Sequence, residues 1–175
     1  MFRYLKGTTD RGLFFRSGGE GRLLAYVDAS YAECLLTRKS TTGYVLTIDE
    51  DVVDWKSKKQ SIVAQSSTEA EYIALAMLVN KLRIVRRVRD WLIGKDGPYP
   101  VREDNQSCIK MAEGEGTNKR SKHIDVRYHV SREAINNGEI ELEYINTEDQ
   151  IADALTKNLG KVKFQRLAVE KMLCK

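Results

Sequence analysis

Histidine and cysteine are scarce in this chain of 175 residues, which has two histidines, His123 and His129, and three cysteines, Cys34, Cys108 and Cys174. Two histidines are too few for most imidazole-based metal sites. Three cysteines, odd in number and far apart, fit neither a disulfide framework nor a zinc knuckle, so reduced thiols are expected. No apolar run approaches the length that crosses a bilayer. The opening MFRYLKGTTDRG lacks the apolar centre and the small-residue cleavage site of a signal peptide, which reads as an intracellular, cytoplasmic protein with no membrane partner. Internal repeats and low-complexity tracts are also missing. What is present is 42% hydrophobic content, enough for one domain with a real core plus short appendages.

The net charge of +4 conceals 29 basic and 25 acidic residues. The basic ones cluster in KSKK (56–59), RIVRRVR (83–89) and KRSK (119–122). Such clusters suit a polyanion such as nucleic acid, and solvated helix faces show them too.

SGGEG (17–21) separates an N-terminal appendage from the body of the chain. LLAYVDAS (23–30), TTGYVLTI (41–48) and VVDWKS (52–57) read as strands, the last two joined in an antiparallel hairpin by a short acidic turn. From Thr68 to Leu92 the apolar residues Leu75, Leu78, Leu82 and Val85 keep helical spacing. YPVRED is a short strand, NQSCIKMAEG a short helix, and HIDVRYHVSREAINNG a helix stopped at Gly138. EIELEYIN alternates as a strand, TEDQIADALTKNLG opens with a Thr147–Gln150 capping box, and an amphipathic helix over 161–173 ends the chain. The later strands come after helical crossovers and join the sheet parallel to the first. The expected fold is an α/β sandwich with a mixed five-stranded sheet.

AQSSTEAEYIALA (64–76) carries Glu69 and Glu71 two positions apart, and residues so spaced on a helix face different ways. With Thr68 as N-cap, Glu71 would complete a capping box. At roughly 100° per residue, however, Glu71 lies in line with Leu75, Leu78 and Leu82, and Glu69 falls opposite, toward water. A carboxylate at the buried end of an apolar stripe needs a cation. Asp28 ends a hydrophobic strand, Asp104 ends the strand YPVRED, and Asp153 lies early in the helix after the last strand. Taken singly, these are ordinary as a turn residue, an N-cap shared with Asn105, and a dipole-favoured acid. Taken together, they converge where α/β proteins place their sites, at the carboxyl ends of parallel strands. Converging carboxylates need divalent metal, and oxygen-only ligands select Mg²⁺ or Mn²⁺. The natural chemistry of such a centre is two-metal phosphodiester hydrolysis.

In order, YVDAS, RKSTTGYV, WKSKKQ, QSSTEAEYIAL, EDNQS, SKHIDVRYH, GEIELEYI and TEDQIADALTK resemble the ribonuclease H domain of copia-type LTR retrotransposon Pol polyproteins. The resemblance covers residues 22–160. FRYLKGTTDRGLFF within 1–21 resembles the segment connecting reverse transcriptase to that domain, and 161–175 forms a C-terminal helix. The polymerase's own motif is absent, which reads as an orphaned C-terminal fragment, a monomer in isolation.

The resemblance implies the ribonuclease H-like fold with sheet order 3-2-1-4-5, and catalytic, metal-binding acids at Asp28, Glu71, Asp104 and Asp153. It implies two Mg²⁺ ions, replaceable by Mn²⁺, and cleavage of the RNA strand of RNA–DNA hybrids during reverse transcription. A polymerase domain is the expected partner, in a virus-like particle of the parent element. Hybrid contacts are expected from Ser40, Thr41, Thr42, Lys56, Lys58, Lys59, Asn105, Gln106, Lys119, Arg120 and Lys122.

Ser30, Glu33 and Cys34 depart from the family pattern, and so does Glu103, an extra carboxylate that either competes for metal or points outward along the strand, with strand alternation favouring outward. The loop before the last helix lacks the histidine of cellular relatives, and the basic handle shrinks to 114–122. Trp55 and Trp91 are expected to pack in the core or on the sheet rather than to stack on bases, and Arg83, Arg86 and Arg87 to form a solvent face. Two alternatives stand beside the hybrid nuclease. One is an inactive remnant that binds nucleic acid or a reverse transcriptase. The other is an integrase or resolvase on the same fold, which the missing zinc-binding His/Cys set disfavours.

Overall fold

The computed structural model describes residues 2–95, 97–114 and 122–173, with the side chains of 122–128 left out. After a short exposed helix, α1 (Phe2–Lys6), come the strands β1 (Leu23–Ser30), β2 (Thr41–Ile48) and β3 (Asp51–Lys59). A long helix α2 (Ser67–Ile93) leads to β4 (Tyr99–Glu103), α3 (Gln106–Ala112), α4 (Lys122–Asn136) and β5 (Ile140–Tyr144). A four-residue helix α5 (Asp153–Thr156) and α6 (Lys161–Phe164), which continues as a wider π-helical turn over Gln165–Glu170, close the chain. The sheet order is β3-β2-β1-β4-β5, the order the family resemblance implies; β4 is parallel to β1 as expected, and β1 is antiparallel to β2.

Hairpin β2–β3 turns at Asp49 and Glu50, both with positive φ, the geometry that matches the twist of paired strands. The Asp49 carboxylate accepts from the backbone N–H groups of Gly21 (2.8 Å) and Arg22 (3.0 Å) and so fixes the entry to β1. β3 is an edge strand, exposed from Trp55 to Lys59, and Lys56, Lys58 and Lys59 guard that edge against pairing with another chain. Trp55 therefore faces solvent, as does Trp91 (84% exposed) near the end of α2, so neither is the core residue expected.

α2 begins earlier than the Thr68 cap predicts. Ser66 is the N-cap, its hydroxyl accepting from the Glu69 N–H at 3.1 Å, and the Glu69 carboxylate accepts from the Gln65 N–H at 2.6 Å. Three consecutive hydroxyl residues make the start ambiguous in sequence. This shift of two residues corrects the expectation for Glu69, which is 4% exposed rather than turned to water. Glu69 caps the helix, and Glu71 is left for another task. Leu75, Leu78 and Leu82 are buried against Ala25, Val27, Leu46 and Val101, as their spacing implies. Arg83 and Arg86 do not simply face solvent, because both pair with Glu139 at the start of β5, Arg83 at 2.8 Å. Arg87 is exposed.

The opposite face of the sheet is covered by Ile151 and Leu167, packed on Val45 and Val52. The expected helix over 147–160 shrinks to α5, because Asn146 accepts from the Glu148 N–H (2.9 Å) in a local turn and Gln150 leaves the expected capping box. The Gln150 side chain is instead fully buried, its amide donating to the carbonyls of Val27 (2.9 Å) and Arg102 (3.3 Å). Only Ala25–Val101 and Tyr26–Arg102 pair directly in that parallel ladder, so Gln150 bridges the strands where they part. Gln150→Leu would leave these carbonyls without a donor and is expected to cost about 1–3 kcal/mol. Urea unfolding of the two proteins measures it, and an unchanged midpoint would deny the bridge its structural role.

Candidate metal centre

Asp28 stands opposite Gly43 of β2 and is fully buried. A Cβ at position 43 would lie 2.5 Å from the Thr156 methyl and 3.0 Å from the Ala152 carbonyl, so glycine lets α5 settle directly on the sheet. That approach brings the Thr156 hydroxyl onto the Asp28 carboxylate as a donor. Lys157 then bridges two acids, its Nζ 3.0 Å from Asp28 Oδ1 and 2.6 Å from Asp153 Oδ1. Lys163 reaches the other Asp153 oxygen at 2.9 Å.

Asp104 comes directly after the last residue of β4. The N-cap of α3 is Asn105, whose side-chain carbonyl accepts from Ser107 N (3.0 Å) and Cys108 N (3.1 Å), so Asp104 does no capping. Gln60 anchors the other contributor, donating to the Thr42 hydroxyl (3.0 Å) and the Ala70 carbonyl (2.9 Å) and holding the first turn of α2 to β2. Glu71 projects from the next position, 5% exposed.

Carboxylate oxygens of Asp28, Asp104 and Asp153 lie within 4.8 Å of one another, and so do those of Glu71, Glu103 and Asp104. The four acids singled out from sequence are thus brought together, with Asp104 common to both groups. Glu103 is the unexpected member. It points inward, corrected from the expected outward turn, because it shares the buried face of β4 with Tyr99 and Val101. That alternation is readable in YPVRE. Lys157 is readable too, four residues after Asp153 at the spacing of a helical ion pair. Lys163 leaves no local signal.

Burial, above all, and the surrounding carboxylates hold Glu71 and Glu103 well above the ordinary carboxylate range. Burial also raises Asp28, with Lys157 opposing. Glu71 Oε2 and Glu103 Oε2 are buried and accept from no hydrogen-bond donor among the described residues. Oxygen-only ligands with orphaned buried carboxylate atoms fit a hard divalent cation.

The residues expected to touch nucleic acid are placed unevenly. Lys56, Lys58 and Lys59 are exposed along β3, Gln106 is exposed, and Thr41 is half-buried. Ser40 and Thr42 are fully buried, Ser40 accepting from Ala32 N (3.0 Å) and Thr42 from Gln60, so both are corrected to structural residues. The Asn105 carbonyl is occupied by its cap. Lys119, Arg120 and the side chain of Lys122 lie outside the described residues. Among the departures after β1, Ser30 donates to Glu33 at 2.5 Å. Cys34 lies 3.0 Å from Lys59 Nζ, and its thiol is lowered to about 6, first by a hydrogen bond from Thr37 and then by Lys59.

This architecture defines the ribonuclease H-like class. The RNase H1 of the archaeon Halobacterium salinarum superposes with a TM-score of 0.58 at 20% identity, covering 78% of this chain and 95% of its own. LC11-RNase H1, in a structure with an RNA/DNA hybrid, gives 0.56 at 20% identity over 77% of this chain and 94% of its own. No protein-family model matches. In sequence, the chain is 38% identical over 165 residues to the retrovirus-related Pol polyprotein of transposon TNT 1-94 from Nicotiana tabacum, which covers 94% of this chain. Its homologues are copia-type retrotransposon Pol polyproteins, and the chain spans 12% of the length of that tobacco relative.

The raised carboxyls give a pH dependence of definite sign. Metal-free, the folded chain keeps protons on Glu71 and Glu103 that the unfolded chain releases near the ordinary value of 4.5. The stability they contribute falls as pH rises from that value toward their raised folded values. Urea unfolding in EDTA is expected to show that decline, and Glu71→Gln to flatten it. An equal decline in the variant would mean that Glu71 is not among the groups responsible.

Proposed function

We propose that this chain is a metal-dependent ribonuclease H that hydrolyses the RNA strand of RNA–DNA hybrids, within the reverse transcription of a copia-type element. The observation that carries the reading is the convergence of Asp28, Glu71, Asp104 and Asp153 at one end of a ribonuclease H-like sheet. These acids would hold two Mg²⁺ ions, with Mn²⁺ able to substitute. When bound, the metal supplies an activated water and stabilises charge on the phosphate oxygens.

The chain's own groups do the rest. Asp28 and Asp153 are held in place by Thr156, Lys157 and Lys163, so their oxygens need little reorganisation. Lys56, Lys58 and Lys59 form a row of cations for the phosphates, and Thr41 and Gln106 offer polar contacts suited to a minor groove with 2′-hydroxyls. In this reading residues 1–21 continue into the connection to the polymerase, which supplies further grip on the hybrid, and the work takes place in a cytoplasmic virus-like particle.

A second reading, an inactive remnant that still binds nucleic acid, draws on Lys157 and Lys163, which neutralise Asp28 and Asp153 without metal. Cleavage of a labelled hybrid in Mg²⁺ separates the two. Slow, hybrid-selective cutting is expected, with double-stranded DNA and single-stranded RNA left intact. Asp28→Asn and Asp153→Asn are each expected to lose about 100-fold or more, since even partners behind a metal ligand are worth roughly 10–100-fold. With three phosphate-binding lysines, log affinity should fall against log salt with a slope of about −2 to −3. Equal degradation of single-stranded RNA would defeat the hybrid reading, and normal hybrid binding without cleavage would establish the remnant.

A further inference from the structure

The two halves of the acidic cluster are treated differently by the protein. Around Asp28 and Asp153 the chain supplies its own cations, Lys157 bridging both and Lys163 completing Asp153. Around Glu71 and Glu103 no ion pair forms among the described residues. Glu103 is completely buried, and one of its oxygens accepts from the Asn105 N–H at 3.0 Å while the other has no donor. Glu71 likewise keeps one buried oxygen without a donor. A carboxylate oxygen from each of Glu71, Glu103 and Asp104 lies within 4.8 Å of the other two. Behind them sits the Cys108 thiol, fully buried, its proton held more tightly by burial and by these same carboxylates.

Two unpartnered carboxylates buried together are costly unless something positive lies between them. Neither is there as a byproduct of another task. Capping of α2 is done by Ser66 and Glu69, and capping of α3 by Asn105. The backbone N–H of Asn105 fixes one Glu103 oxygen and leaves the other without a donor, in a side chain that has a carboxylate oxygen within 4.8 Å of Glu71 and Asp104.

We propose that Glu103 is a fifth carboxylate of the metal centre, and that Glu71, Glu103 and Asp104 together form a site for one divalent cation, Mg²⁺ or Mn²⁺. This rests on the reading of the chain as a metal-dependent nuclease and adds a ligand to it. It also ranks the two positions. The site with Glu103 has three acids and, among the described residues, no ion-paired lysine to displace, so it fills first. The Asp28–Asp153 side has to displace Lys157 and fills at higher metal concentration.

Mn²⁺ titration of the whole chain, with free Mn²⁺ monitored by electron paramagnetic resonance, tests this without any turnover. The wild-type protein is expected to bind in two steps of unequal affinity. In Glu103→Gln, which keeps the shape and removes the charge, the tighter step is expected to weaken about ten-fold or more while the weaker step stays put. Its metal-free melting temperature should not fall, because the neutral amide keeps the shape of the side chain and can never carry a buried charge. Where Glu103→Gln does not fold, Glu103→Asp keeps the charge but shortens the reach by one methylene, and the same loss of the tighter step is expected. An unchanged tighter step in the folded variant would overturn the proposal, leaving Glu103 as a protonated core residue. Hybrid cleavage by the wild-type chain, measured alongside, keeps this outcome separate from failure of the nuclease reading.

Discussion

Asp28 lies in the central strand, completely buried, and its carboxylate is tolerated there because Thr156 and Lys157 reach it from 128 and 129 positions further along the chain. A lone carboxylate at that depth would be expensive. The contact therefore couples the first strand to the last part of the fold, and much of the architecture is arranged to permit it. Gly43 on the neighbouring strand has no side chain, so α5 can lie close enough for Thr156 and Lys157 to arrive. Gln150 ties the segment leading into α5 to the β1 and β4 carbonyls just where those strands diverge. A substitution at Gly43 or Gln150 acts on the acids without touching them.

The elements that alternate or repeat strongly are legible in the sequence. β1, β2 and the body of α2 come from the apolar period, and the parallel placement of the later strands from their helical crossovers, whereas the sheet order comes from the family resemblance. The errors cluster where two local arrangements compete for the same residues. Ser66, Ser67 and Thr68 all suit a helix cap, and only the carboxylate of Glu69, reaching back to Gln65, settles which one serves. Thr147 to Gln150 has the composition of a capping box, but a buried pair of carbonyls offers the Gln150 amide better partners. Residue type alone assigns Trp55 and Trp91 to the core, and their exposure comes instead from position, on an edge strand and near the end of a helix.

For the site, the four acids are legible because each sits at an element's end, a place fixed by local pattern. The neutralising lysines are less so, since Lys163 meets Asp153 only through the turn of the chain at Gly160 and the docking of α6. Glu103 is within reach. Its phase with Tyr99 and Val101 predicts a buried face, and the expectation of an outward turn runs against that phase. The error is one of phase, since Tyr99, Val101 and Glu103 alternate onto the same buried side of β4.

Under the proposed function, the distribution of charge across the molecule would give the lysines of β3 two tasks with one placement. An exposed edge strand with free backbone groups invites pairing with another strand, and a row of lysines discourages it. Lys56, Lys58 and Lys59 occupy that edge, and Thr41 and Thr42 are the register partners of Lys59 and Lys58 on β2. β2 also carries Gly43, the register partner of Asp28. A polyanion drawn to the edge lysines is therefore bound beside the strand that abuts the acids. The acids would repel the same polyanion if their charge were left bare. Lys157 and Lys163 lower that charge on one side, and a cation on Glu71, Glu103 and Asp104 would lower it on the other, so neutralisation of the centre and approach of a nucleic acid favour each other.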